Sequence, residues 1–185
     1  MYDDHLVDFQ NRISAALVIA LKQLVQASLM IPALLISGCS AELSIPQPEL
    51  PVIPACFVAT DSSISVRLEV ADGYNQRQAG LMARPALEAD TGMLFLYQQP
   101  QPADHGFWMY KTLLHLDIAY LDKHGVIGSI KRMAPCSSGN PGNCPTYPAG
   151  IEFTQAVEMG KGFFANNHIT VGDRLVIGKP CTPRS

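Results

Sequence analysis

The chain has 185 residues, a formal net charge of −3, 48% hydrophobic residues and only 16% charged ones. That length allows one domain plus appendages, and no Lys/Arg surplus exists to neutralise phosphates, which excludes a nucleic-acid footprint of the usual kind. The low charged fraction with near-average Gly and Pro also excludes a disordered chain.

The first element is an address. Ala15–Ile36 is apolar apart from Lys22, Gln23, Gln26 and Ser28. Leu24–Ser37 has the length of a secretory apolar core, with Lys22 before it as the positive flank. It ends in Ile36-Ser37-Gly38-Cys39, which resembles the bacterial lipobox, in which the cysteine is diacylated and becomes the first mature residue. A membrane-spanning helix is the alternative, but Pro32 and Gly38 interrupt it and the run falls short of the roughly 20 residues a span needs. Residues 1–38 therefore read as a lipoprotein signal peptide and Cys39 as the lipidation site. Ser40, rather than aspartate, after the cysteine favours an outer-membrane anchor facing the periplasm. Asp3, Asp4 and Asp8 are out of place in a positive flank, so the start is expected to be over-extended, with the true one near Val18. Residues 39–185 carry 11 bases and 13 acids, a nearly neutral domain.

Residues 39–55 read as a tether. Prolines 46, 48, 51 and 54 favour extended polyproline II and exclude a packed element over Ala41–Pro54. The domain then runs over 56–181, with 182–185 as a tail. Its four cysteines, an even number in an exported chain, predict two disulfides. Of three possible pairings, Cys136–Cys144 across a Gly/Pro/Ser/Asn loop and Cys56–Cys181 across the domain ends are favoured. Zinc is the alternative, but no Cys-x-x-Cys pair or matching histidine spacing is present, so neither metal nor cofactor is expected.

Ile64–Val70 alternates apolar and polar residues, the period of a half-buried strand. Asp72–Arg84 predicts a short amphipathic helix ended by Pro85. Gly92–Tyr97, Gly106–Thr112 and Leu116–Leu121 read as strands, and a turn over Asp122–Gly125 leads into Val126–Ile130. Gln155–Met159 is a further strand and Gly162–Asn167 a helical turn. Val171–Asp173 turns into a closing strand, Arg174–Ile177. The expected fold is mainly β: a small sandwich or barrel of six to seven strands with one or two short helices.

Taken in order, Gly80-Leu81-Met82 with Arg84, Gly92-Met93-Leu94-Phe95, Phe107-Trp108-Met109 with Thr112, and Leu116-Asp117-Ile118 resemble the DUF192 family of small bacterial and archaeal domains. So do Asp122, Gly125, Ala134-Pro135-Cys136, Cys144-Pro145-Thr146-Tyr147 and Gly172-Asp173-Arg174-Leu175. The resemblance spans roughly Val66–Ile177 and implies a β-sandwich, frequently exported, whose activity is unknown. The chain departs from that pattern at Lys111, where the family often has asparagine, at His115, often proline, and at His168, where glycine is common.

For chemistry, His115-x-Asp117 on one strand would share a face and could form a general base or metal ligand; Asp117 as an acceptor for backbone N–H groups is the plainer reading. Arg84, Trp108, Tyr110, Lys111, Thr112, Asp117 and Tyr147 mix aromatic platforms with hydrogen-bonding groups and, if they converge, suit a polar ligand such as a glycan. Splitting of Phe107, Trp108 and Met109 between core and surface by alternation, with Arg84 bracing a helix end, is the competing reading. No nucleophile elbow, phosphate loop or zinc-protease motif occurs. The expectation is a lipid-anchored extracytoplasmic accessory or ligand-binding domain. Its partners are the membrane and an envelope glycan or protein, not nucleic acid. The alternative is an envelope hydrolase or transferase using Asp117 with Arg84 or Lys111.

Overall fold

A computed structural model describes residues 45–182; Cys39 and the lipobox-like segment lie outside the described residues. Two strands, β1 (Val52–Val58) and β2 (Ser63–Ala71), form an antiparallel hairpin. Helix α1 (Tyr74–Ala79) then crosses over to β3 (Thr91–Gln101), which runs parallel to β2. The chain continues through β4 (Gly106–Trp108), β5 (Leu116–Leu121), β6 (Ile127–Met133), β7 (Thr146–Pro148), β8 (Phe153–Gly160), α2 (Phe163–Asn166) and β9 (Arg174–Ile177).

Seven strands form one sheet in the order β6-β5-β8-β3-β2-β1-β9, while β4 and β7 form a separate ribbon. The sheet curls until its edges meet at one end, where Val126 bridges Arg174. Ile127 N–H donates to Asp173 C=O at 2.8 Å and Leu175 N–H to Gly125 C=O at 2.9 Å. The mainly β fold is thus a curled half-barrel. Gly125 makes the closure possible: its φ is +78°, and a Cβ there would lie 2.4 Å from the Leu175 carbonyl oxygen.

Alternation sorts each strand between two cores. On one face of the sheet, Phe57, Leu68, Leu94, Ala119, Val157 and Leu175 pack with Phe164 and Ile169. On the other, Met93, Phe95, Ile118, Tyr120 and Ala156 are covered by Leu81 and by Phe107 and Met109. Central strands are consequently buried on both faces, and all six residues of β5 are buried. The Tyr120 hydroxyl, inside the second core, donates to the Tyr147 carbonyl at 2.6 Å and joins the ribbon to the sheet.

The structure has nine strands where six to seven were expected. One addition, β7, is only three residues long. The other, β1, corrects the tether: Val52–Ala55 are strand, and Gln47, Leu50 and Pro51 before them are bonded to the domain. The Gln47 side-chain amide donates to the Gly80 carbonyl at 2.7 Å, and Leu50 N–H donates to Glu69 Oε2 at 2.9 Å. Proline is accommodated because the Pro54 carbonyl, on the β9 side, accepts Gly178 N–H beyond the last ladder pair, Ala55–Ile177. Its missing donor therefore falls where the ladder has ended.

Helix α1 is shorter than the predicted Asp72–Arg84. Gly80, at φ +49°, stops it five residues before Pro85. The turn at Asp122–Gly125 is held by Asp122 Oδ1, which accepts N–H bonds from His124 and Val126 at 2.8 and 2.9 Å. Both disulfides join the cysteines paired in the sequence reading, Cys56–Cys181 and Cys136–Cys144.

Candidate functional site

The structure separates most of the polar residues singled out in the sequence. Arg84 forms an ion pair with Glu69 at 2.8 Å, both largely buried. Since Glu69 also accepts Leu50 N–H, Arg84 fastens the 80–84 turn to β2 and the entering chain. Asp117 is buried in β5; its Oδ1 accepts from Arg132 Nε at 3.1 Å and its Oδ2 from Gly162 N–H at 2.8 Å. Lys111 has φ +57° and places its ammonium 5.3 Å from the Tyr110 ring centroid. Tyr147 accepts Ala134 N–H through its hydroxyl. The pairing of Asp117 with Arg84 or Lys111 is corrected: the carboxylate belongs to Arg132 and to the backbone before α2. His115 does not share its face either, since β5 begins at Leu116 and His115 is exposed.

Trp108 and Thr112 do converge, on a group that sequence reasoning missed. Glu158 lies in β8 between Met93 of β3 and Ile118 of β5, so its side chain faces the second core. There it lines a cavity of about 20 Å³ with Leu81, Phe95, Phe107, Trp108 and Thr112. The residue is only 4% exposed. No hydrogen bond or ion pair among the described residues reaches its carboxyl. Burial pushes its pKa up to about 8, so the acid is mostly protonated at neutral pH.

The cavity wall follows from local backbone chemistry. Past Gly80 the chain turns so that Leu81 enters the core, and Ala83 N–H donates to the Lys111 carbonyl at 2.8 Å. That bond ties the 80–84 turn to the 109–112 turn, closed by Thr112 N–H on the Met109 carbonyl at 3.0 Å. Ala83 and Lys111 both hold left-handed backbone, φ +58° and +57°, an arrangement that costs about 1 kcal/mol or more at each non-glycine residue. Across β4, Phe107 points inward while Trp108 remains 37% exposed at the surface.

An open groove of about 450 Å³ adjoins the cavity through Arg77 and Gln78, with Tyr74, Tyr97, Gln99 and His105 among its walls. Arg77 donates to the carbonyls of Asp72 and Leu96, the latter at 3.0 Å, and lies 4.9 Å from the Tyr97 ring centroid. Burial raises the Tyr97 pKa to about 12 and lowers that of His105. Among the described residues no cluster of three His, Cys, Asp or Glu is disposed to hold a metal ion.

This curled sheet and its covering turns place the chain in a recognised class of domain. The DUF192 model, described as an uncharacterized ACR, matches residues 57–177, and the chain belongs to that family. No curated protein matches the sequence. Two solved structures share the fold. One, from Sinorhizobium meliloti 1021 and described only provisionally as a transcription regulator, is 23% identical with a TM-score of 0.64 over 71% of this chain and 97% of that one. The other is a protein of unknown function from Novosphingobium aromaticivorans DSM 12444. It is 26% identical with a TM-score of 0.62, over 71% of this chain and 89% of that one.

Proposed function

We propose that this DUF192 protein is a lipid-anchored, extracytoplasmic accessory domain that binds a ligand, attached through Cys39 to the outer membrane and facing the periplasm. The observation that carries the reading is the pair of disulfides, one spanning 125 residues of chain and one spanning 8. Such bonds persist in exported proteins and are rare in a reducing cytosol. Binding rather than turnover is supported by the engagement of Asp117, Arg84 and Lys111 with Arg132, Glu69 and Tyr110. The groove beside α1 offers tyrosine faces, planar amides and a guanidinium, the chemistry that grips the polar edges and apolar faces of an envelope glycan.

Fractionation with metabolic acyl labelling tests the anchor. The native chain is expected in the membrane fraction carrying label, and Cys39→Ser is expected to lose both. Unlabelled native chain, or four free thiols after alkylation under native non-reducing conditions, overturns the reading.

A further inference from the structure

We infer that the cavity lined by Glu158, Thr112 and Trp108 is a recognition site for a primary ammonium group carried on an alkyl stem. The inference concerns the ligand of this cavity and is independent of the lipid anchor. Three observations carry it. The first is the lone carboxyl: it sits in the sheet with no cation of the described residues within 4.0 Å, although Arg77 lines the same cavity. Arg77 is committed instead to two backbone carbonyls and the Tyr97 ring. An unpaired buried acid is costly to keep unless a partner arrives to complete it.

The second is size. A volume of about 20 Å³ admits one water-sized group, since a single water needs about 10–15 Å³ on that measure. An ammonium head fits this space and a sugar ring or a guanidinium does not. The third is the lining. Phe95 and Phe107 meet edge to face with centroids 4.8 Å apart, and Trp108 stands at the surface beside them. Aromatic faces attract a cation and accept an alkyl stem, while the Thr112 hydroxyl is available to accept an N–H. Glu158, a protonated acid in the free protein, releases its proton to solvent as the ammonium enters, so that a carboxylate–ammonium pair replaces a neutral carboxyl.

The groups facing Glu158 are Arg77 from α1, Tyr97 from β3 and Tyr120 from β5, with His105 beyond Tyr97; β4 presents no ionisable side chain. The two tyrosines stay neutral between pH 6 and pH 8, because burial raises both. Burial lowers the pKa of His105 from its ordinary value.

Trp108 is the only tryptophan in the chain and lines the cavity, with its ring 5.3 Å from that of Tyr110, so its fluorescence reports on the cavity's surroundings. The full-length protein in a non-ionic maltoside detergent is titrated with n-butylammonium chloride, Nα-acetyl-lysine methylamide and 1-butanol. A saturable change is expected with an ammonium and not with butanol. Apparent affinity should tighten about tenfold per pH unit from pH 6 and level off near pH 8, following the fraction of ionised acid. Response to both ammonium compounds marks a site open to free amines, and response to the lysine derivative alone marks a peptide side chain; either supports the inference. Glu158→Gln should abolish the response, with melting of the variant confirming that it remains folded. An equal response to butanol, a pH-independent affinity, a response that survives in Glu158→Gln, or no saturation by either ammonium overturns it.

Discussion

Glu158→Gln converts a buried acid into a neutral isostere, and its effect on stability is set by proton linkage. The Glu158 pKa stands at about 8 in the folded chain against a reference of 4.5. Between those values the folded state holds a proton that the unfolded state has released. Stability is therefore full below about pH 4.5 and falls as pH rises toward 8, at about 1.4 kcal/mol per unit, or roughly 4–5 kcal/mol across the whole interval. The glutamine variant lacks this dependence. Urea unfolding of both proteins at pH 5, 6, 7 and 8 isolates the residue, because every other titrating group cancels in the difference. The two should agree within about 1 kcal/mol at pH 5, and the variant should be the more stable by several kcal/mol at pH 8. A difference that stays constant over that range refutes the placement of an unpaired acid in the core.

The two disulfides should differ in weight. Cys56→Ala with Cys181→Ala should cost about 5 kcal/mol and Cys136→Ala with Cys144→Ala about 2.5 kcal/mol in the chain-entropy model, from separations of 125 and 8 residues; the reverse order in unfolding experiments would contradict the closure argument. Asp117→Asn weakens the hold on Arg132 and Gly162 and should cost about 2 kcal/mol in urea, moderated because Arg132 remains solvated. The same variant should leave the ammonium response of Trp108 unchanged. His168→Gly relieves left-handed backbone at φ +56° and should raise stability by about 0.5–1 kcal/mol, a few degrees in a melting scan.

The alternation of Ile64–Val70 and the closing strand Arg174–Ile177 were legible because each shows one dry face or a turn-bounded apolar run. Strand β1 was hidden by Pro51 and Pro54, whose tolerance depends on where β9 stops pairing, a fact of topology rather than of local sequence. Glu158 was missed for a related reason. In Gln155–Met159 the alternation places a charge where a one-sided sheet has its wet face. Only the burial of β8 between β3 and β5, with Leu81 and Phe107 laid over that face, turns it into an interior acid. Apolar neighbours Ala156, Val157 and Met159 were the available hint. Asp117 looked like half of a catalytic pair, yet its partners Arg132 and Gly162 come from β6 and the α2 approach, 15 and 45 residues away. Two of the three family departures, by contrast, have a local cause, and nothing in the structure explains the third, His115. Lys111 and His168 both occupy left-handed backbone, where asparagine or glycine is the less strained choice.

The Cys56–Cys181 bond brings the beginning and end of the domain to a Cα separation of 5.0 Å. The stretch from Cys56 to Cys181 is therefore close to a covalent ring. A circular permutant that joins those ends through a short peptide and reopens the chain in the exposed 137–143 loop should keep every strand neighbour. It would present new termini within the loop closed by the Cys136–Cys144 bond, from which either half of that loop could carry a fused cargo.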